Sequence, residues 1–177
     1  MLVLGLDIST SISGATVLDS AGAMLYNESW DTRNKKYFPS IYHKARQIRD
    51  KLQDIKHQYY IENVLIEQSL HSFRSGFSSA QTLSTLSRFN GIVSWMCCDI
   101  FGIEPHLIAA TTARKQSGLT IRRGENSKEK VLKFVIDNEP SFLIEYTKHG
   151  NPRPGTYDRA DSYVIAKAGL NWKNSTS

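Results

Sequence analysis

Long apolar runs are missing from this chain. No stretch of about 18 consecutive apolar residues occurs in the sequence, which excludes the usual signature of a membrane-spanning helix. The start of the sequence shows no charged segment followed by an apolar core, the pattern of a secretory leader. Cysteine is nearly absent as well. Cys97 and Cys98 are sequence neighbours that cannot readily bridge each other, so a disulfide framework or a cysteine-based zinc site has no basis. These absences predict a soluble protein of a reducing, intracellular compartment, with cytoplasm, nucleoid, host-cell interior and organelle all compatible. What is present is enough for a core: 177 residues, 40% of them hydrophobic, fit one globular domain spanning the whole chain.

Acidic residues are in deficit, leaving a net charge of +5, and the distribution of that charge is uneven. Residues 111–135 hold seven cations, Arg114, Lys115, Arg122, Arg123, Lys128, Lys130 and Lys133, against Glu125 and Glu129, a local surplus equal to that of the whole chain. Thr111, Thr112, Ser117, Thr120 and Ser127 are interleaved with them, a mixture suited to phosphate oxygens. The segment is expected to form a face for a nucleic-acid backbone; solubility charge is the plainer alternative.

Leu2-Val3-Leu4-Gly5-Leu6-Asp7 is an apolar strand that ends on a carboxylate. Burying a charge among aliphatic residues costs several kcal/mol unless cations or donors meet it, so Asp7 belongs at a strand end facing a metal or water. An ordinary polar turn is the competing reading, since Asp, Ser and Thr are common turn formers. Segments 13–19 and 23–30 read as two more strands joined by turn residues, making an antiparallel meander. A helix from Pro39 follows, with Ile41, Ala45, Ile48, Leu52 and Ile55 on one face. Lys44, Arg46, Arg49 and Lys51 lie on the other face, read here as solvated.

Segment 61–67 repeats the opening pattern, an apolar strand closed by Glu67. A helical crossover would place it parallel to the first strand, with both acids at the edge where ligands of open α/β sheets sit. A long helix over 77–101 carries apolar residues on more than one face, including Leu83, Leu86, Val93 and Cys97 along one stripe and Phe89, Ile92 and Met96 off it. The excess predicts a homodimer through this helix. Segment 104–109 reads as a fifth, parallel strand, and Asn126 with Glu129 as a capping box for a helix through Val131 and Val135. After a Pro- and Gly-rich loop at 147–156, a helix from Tyr157 repeats Ala160, Val164 and Ala168 every four residues and carries Asp158 and Asp161 on its first turn. On its own, that acid pair is ordinary compensation of the helix dipole. The expected class is α/β: a five-stranded mixed sheet, three antiparallel strands then two parallel, flanked by helices.

Four carboxylates, Asp7, Glu67, Asp158 and Asp161, thus come from two strand ends and one helix start. The arrangement resembles the RNase H-like nuclease fold. Gly5-Leu6-Asp7 with Gly14 downstream, Leu65-Ile66-Glu67-Gln68, and Asp158-Arg159-Ala160-Asp161-Ser162 resemble, in order and across nearly the whole chain, the RuvC family of Holliday-junction resolvases. The resemblance implies a homodimeric, Mg²⁺- or Mn²⁺-dependent endodeoxyribonuclease of DNA recombination and repair that nicks two strands of a four-way junction symmetrically. It implies two ions per active site, held by the catalytic acids Asp7, Glu67, Asp158 and Asp161. Arg74, Thr111, Thr112, Arg114, Lys115, Arg122, Arg123, Lys128 and Lys130 would bind DNA.

The chain also departs from the family pattern. Ile8-Ser9 replaces the usual Pro-Gly after the first acid. Leu70 stands where family members place an aromatic, and Phe73 comes later, as a candidate for stacking on a base or for a contact under a loop. Three other readings compete. The chain would be a related metal nuclease acting on other branched DNA or RNA–DNA hybrids, a sugar-kinase or actin-like ATP-binding domain suggested by the first 22 residues, or a basic DNA-binding module without catalysis.

Overall fold

The structure, a computed structural model, describes residues 1–68 and 80–172. Alternation along two short strands explains where the acids go. In β1 (Val3–Asp7), Leu4 and Leu6 point into one apolar layer, while Val3 points into another on the opposite face. With a period of two, Gly5 and Asp7 share the face of Val3. In β4 (Asn63–Glu67), Val64 and Ile66 join the first layer and Leu65 the second, so Glu67 emerges on the same face as Asp7. The strands are parallel, with Leu6 opposite Ile66, which brings the terminal acids level with each other.

The sheet has the order β3-β2-β1-β4-β5, completed by β2 (Ile12–Leu18), β3 (Met24–Asp31) and β5 (His106–Ile108). The expected mixed sheet is present: β2 pairs antiparallel with β1 and β3, and β5 runs parallel to β4. Strand limits differ from those expected by a residue or two, most at 104–109, where only three residues pair.

One face is covered by α1 (Ile41–Gln58) and α2 (Ala80–Phe101). Ile48, Leu52 and Ile55 are fully buried on α1, and burying each contributes about 1.5–3 kcal/mol. Helix α1 starts later than Pro39, with Ser40 at its N-cap. On α2 the inward face is Phe89, Asn90, Val93, Cys97 and Phe101: it takes Asn90, Val93 and Cys97 from the expected stripe and Phe89 from off it, while Leu83, Leu86 and Ile100 of that stripe are only partly covered. Aromatic bulk at Phe89 and Phe101 decides the rotation. Trp95 is left 64% exposed on the outer side. Residues 77–79 of the expected helix lie outside the described residues.

The other face is covered by α3 (Ala110–Ser117), α4 (Ser127–Asn138) and α5 (Thr156–Leu170). The Asn126 side chain accepts from the amides of Lys128 and Glu129 and caps α4 as expected. Helix α5 runs against β1 and β2 at a separation only glycine permits. A Cβ on Gly5 would meet the Ala166 nitrogen at 2.3 Å, and one on Gly14 the Asp158 carbonyl oxygen at 1.9 Å. A buried hydrogen bond between Thr16 Oγ1 and Ser162 Oγ (2.7 Å) fixes the helix along its length. The start of α5, with Asp158 in its first turn and Asp161 in its second, is thereby pressed onto the sheet beside Asp7. Gly14→Ala is expected to force backbone apart here, costing about 1–3 kcal/mol and lowering the thermal midpoint by several degrees. An unchanged midpoint would show that α5 does not rest on β2.

Candidate metal and nucleic-acid site

The sheet end where β1 and β4 stop is also the end where β3 stops and α5 begins. Asp7, Glu67, Asp158 and Asp161 therefore share one edge, each partly covered. The Asn90 amide, reaching from α2, donates to the Glu67 carbonyl oxygen (2.9 Å) and holds the end of β4 in place. Among the described residues no salt bridge engages these carboxylates, and the Asp158 carboxyl takes its own amide.

Electrostatics record how close the acids are. Burial, then the charges of Glu67, Asp161 and Asp158, holds the Asp7 carboxyl well above the usual range, with Lys128 opposing. Burial and the Asp161 charge push Glu67 up to about 7, with Arg114 opposing. Asp161 rises to about 6 through burial, moderated by Arg114, then raised further by Asp158 and moderated by Lys128. Asp158 is raised by burial, against its own amide, Lys128 and Arg33. Four carboxylates in one field, opposed mainly by Arg114 and Lys128, are costly to keep ionised together.

Unengaged carboxylate oxygens that repel one another are the donor set a hard divalent cation such as Mg²⁺ or Mn²⁺ takes. Among the described residues no three His, Cys, Asp or Glu side chains are already gathered into the ligand set of one ion. The acids share a field rather than a point.

The expected DNA-binding residues divide into groups. Arg114 and Lys128 lie within the field of the acids, and Lys128 also sits 5.8 Å from the Tyr157 ring centroid. Thr111, Thr112, Lys115, Arg122 and Arg123 are exposed around α3 and the loop before α4. Lys130 is paired with Glu125 at 2.7 Å. Phe73 and Arg74 lie outside the described residues. Sequence reasoning missed Arg33, whose charge reaches Asp158, and Lys44, whose ammonium donates to the Thr10 carbonyl instead of lying on a solvated face. Lys51 is likewise engaged, by Glu28 at 3.0 Å.

The turn after Asp7 bears on the ATP-binding alternative. The Ser9 amide donates to Ser13 Oγ (3.1 Å), the Ser11 amide to Ser9 Oγ (3.0 Å), and Ser13 Oγ to the Ser9 carbonyl (3.0 Å). A phosphate loop needs such amides open to the nucleotide. Here the Ser9 and Ser11 amides are already taken by hydroxyls of the turn's own serines.

No family model matches the chain, and no curated protein matches it in sequence. Solved structures do match in shape. RuvC of T. thermophilus in complex with Holliday junction substrate superposes with a TM-score of 0.67 at 17% identity, covering 95% of this chain and 91% of that one. A second structure of Thermus thermophilus RuvC gives 0.64 at 19% identity, covering 95% and 92%. This chain has the RuvC fold. The yeast mitochondrial Holliday junction resolvase Ydc2 gives 0.60 at 14% identity, covering 96% of this chain and 78% of that one. Among the described residues, no helix is long and apolar enough to cross a membrane.

Proposed function

We propose that this chain is a divalent-metal-dependent endonuclease that resolves four-way DNA junctions by paired symmetric nicks. The observation that carries this reading is the sharing of one sheet end by Asp7, Glu67, Asp158 and Asp161, with raised carboxyl affinities for protons and cations at the margin. Its support from comparison is the fold, held in common with a RuvC solved on Holliday junction substrate.

In this reading the four acids hold two Mg²⁺ or Mn²⁺ ions, which supply positive charge to the attacking water and the leaving 3′ oxygen of an in-line displacement at phosphorus. The chain's own groups do the rest. Arg114 and Lys128, already in the field of the acids, meet the negative charge of the scissile phosphate once the carboxylates are engaged. Thr111, Thr112, Lys115, Arg122 and Arg123, exposed beside them, take flanking phosphates and set the register of the strand. Gly5 and Gly14 act indirectly, by letting α5 deliver Asp158 and Asp161. A catalytically inert DNA-binding module would gain nothing from this acid cluster, which repels phosphate.

Symmetric nicking needs two sites related by a two-fold axis, and the exposed side of α2 with Trp95 is the surface proposed to pair. The decisive assay incubates the protein with labelled four-way junction, duplex, flap and RNA–DNA hybrid, with and without Mg²⁺, alongside its mass in solution by light scattering. Paired nicks on the junction by a dimer are expected. Cutting confined to flap or hybrid would move the chain to another class of RNase H-like nuclease, and a monomer that still cuts would end the α2 assignment.

A further inference from the structure

Cations flank the acidic edge from the second face of the sheet as well, in the loop that joins β3 to α1. This loop is tied to the turn that follows Asp7. The Thr32 amide donates to the Ser11 carbonyl (2.8 Å), and Thr32 Oγ1 donates to the same oxygen (3.1 Å). Lys44, on the first turns of α1, donates to the Thr10 carbonyl. The loop itself is a built turn: the Asn34 carbonyl accepts from the amides of Tyr37 (3.1 Å) and Phe38 (2.9 Å), and Asn34 Oδ1 accepts from the Lys36 amide (3.0 Å).

Its charges are not balanced locally. Asp31 is the nearby acid, and Arg33 already holds it through a fork of contacts, the shortest 2.6 Å. Lys35 and Lys36 are exposed and make no ion pair among the described residues, and Lys35 lies close enough to Lys44 to repel it. Tyr37 is 65% exposed, with the Lys36 ammonium 5.8 Å from its ring centroid. Unpaired lysines, one of them over an exposed ring, beside a site expected to handle phosphodiesters, form a surface for nucleic acid rather than for solvent alone.

From this arrangement we infer that Lys35 and Lys36, with Lys44 behind them, form a second phosphate-binding wall. It lies across the acidic edge from Arg114 and Lys128, and takes the backbone of a duplex DNA arm on the far side of the scissile phosphate. The inference rests on the nuclease reading above and adds to it the direction of the substrate: the strand crosses the sheet edge from the α3–α4 side to the α1 side. Phosphate at this wall offsets the repulsion between Lys35 and Lys44, and Tyr37 presents a ring for sugar or base contact.

The test is binding of a labelled four-way junction, without Mg²⁺, across ~50–200 mM salt, the range over which phosphate contacts dominate the salt dependence. Each lysine that neutralises a phosphate contributes about 0.9 to the slope of log affinity against log salt. Lys35→Gln/Lys36→Gln is therefore expected to flatten the slope by nearly two, with affinity falling on the order of tens-fold at ~0.1 M salt. Lys56→Gln serves as the control, because it removes a charge from α1 about 18 Å along the helix from Lys44, and it should leave the slope unchanged. A steep wild-type slope that Lys35→Gln/Lys36→Gln leaves intact removes this wall and spares the nuclease reading. A wild type that binds no junction at any salt removes both.

Discussion

Asp7→Asn is expected to abolish Mg²⁺-dependent cleavage while leaving junction binding intact or tighter. The substitution keeps the shape of the side chain and removes a charge from the centre of the acid cluster, where Glu67, Asp161 and Asp158 all act on it. Transition-state charge stabilisation by bound metal is worth several kcal/mol, so the rate should fall by about a thousand-fold or more. Binding should improve because a negative charge facing phosphate is gone. The protein itself should melt higher, since the remaining acids repel one another less. Of three separable readouts, cleavage thus falls while binding and the thermal midpoint rise. Retained cleavage would falsify the assignment of Asp7 as a metal ligand, and lost cleavage with a collapsed midpoint would point to misfolding instead.

The metal-free protein should also be more stable in mild acid than in mild alkali, opposite to a protein whose carboxylates are salt-bridged. Glu67 is pushed up to about 7 and Asp161 to about 6, each from an ordinary value near 4. The folded state therefore binds protons more tightly than the unfolded chain, and stability declines as pH rises between the unfolded and folded values. The window runs from about pH 4 to about pH 7. The loss across it is on the order of a few kcal/mol, seen as a drop of several degrees in the thermal midpoint. Mg²⁺ or Mn²⁺ acts in the reverse sense, because a cation among the carboxylates replaces the protons. At about a hundred times its dissociation constant it would restore roughly 2.7 kcal/mol. Calorimetry at pH 5 and pH 8, with and without the ion, reads this without any substrate. A midpoint at pH 8 indifferent to either ion would remove the metal from the site even if a nuclease activity were found.

Both expectations trace to features visible in the sequence. Two apolar strands each closed by an acid, joined by a helical crossover, were enough to send Asp7 and Glu67 to one edge; that both emerge on the same face came only with the two layers between which Val3, Leu65 and their neighbours divide. Asn126 announced its cap, and the Ala160, Val164, Ala168 repeat announced a helix packed close to the sheet. Elsewhere the sequence was silent or misleading. On α2 heptad spacing picked out Asn90, Val93 and Cys97 but left Phe89 off the stripe, because spacing does not weigh the bulk of Phe89 and Phe101 against Leu83 and Leu86. The cations of α1 were read as solvated because a lysine on a polar helix face looks the same whether it meets water or, as Lys44 does, a carbonyl of another loop.

Local rules of apolar runs, capping and helical spacing act over a few residues, so the sequence by itself determined which segments are strands and helices and at which of their ends the acids stand. Which of many cations answer those acids was decided only by the tertiary structure. Arg114 and Lys128 from one side of the sheet and Arg33 from the other are brought to the acids by packing between segments far apart in the chain. Charges act through space, and no short-range pattern records the distance between residues that meet only when α5 settles onto Gly5 and Gly14.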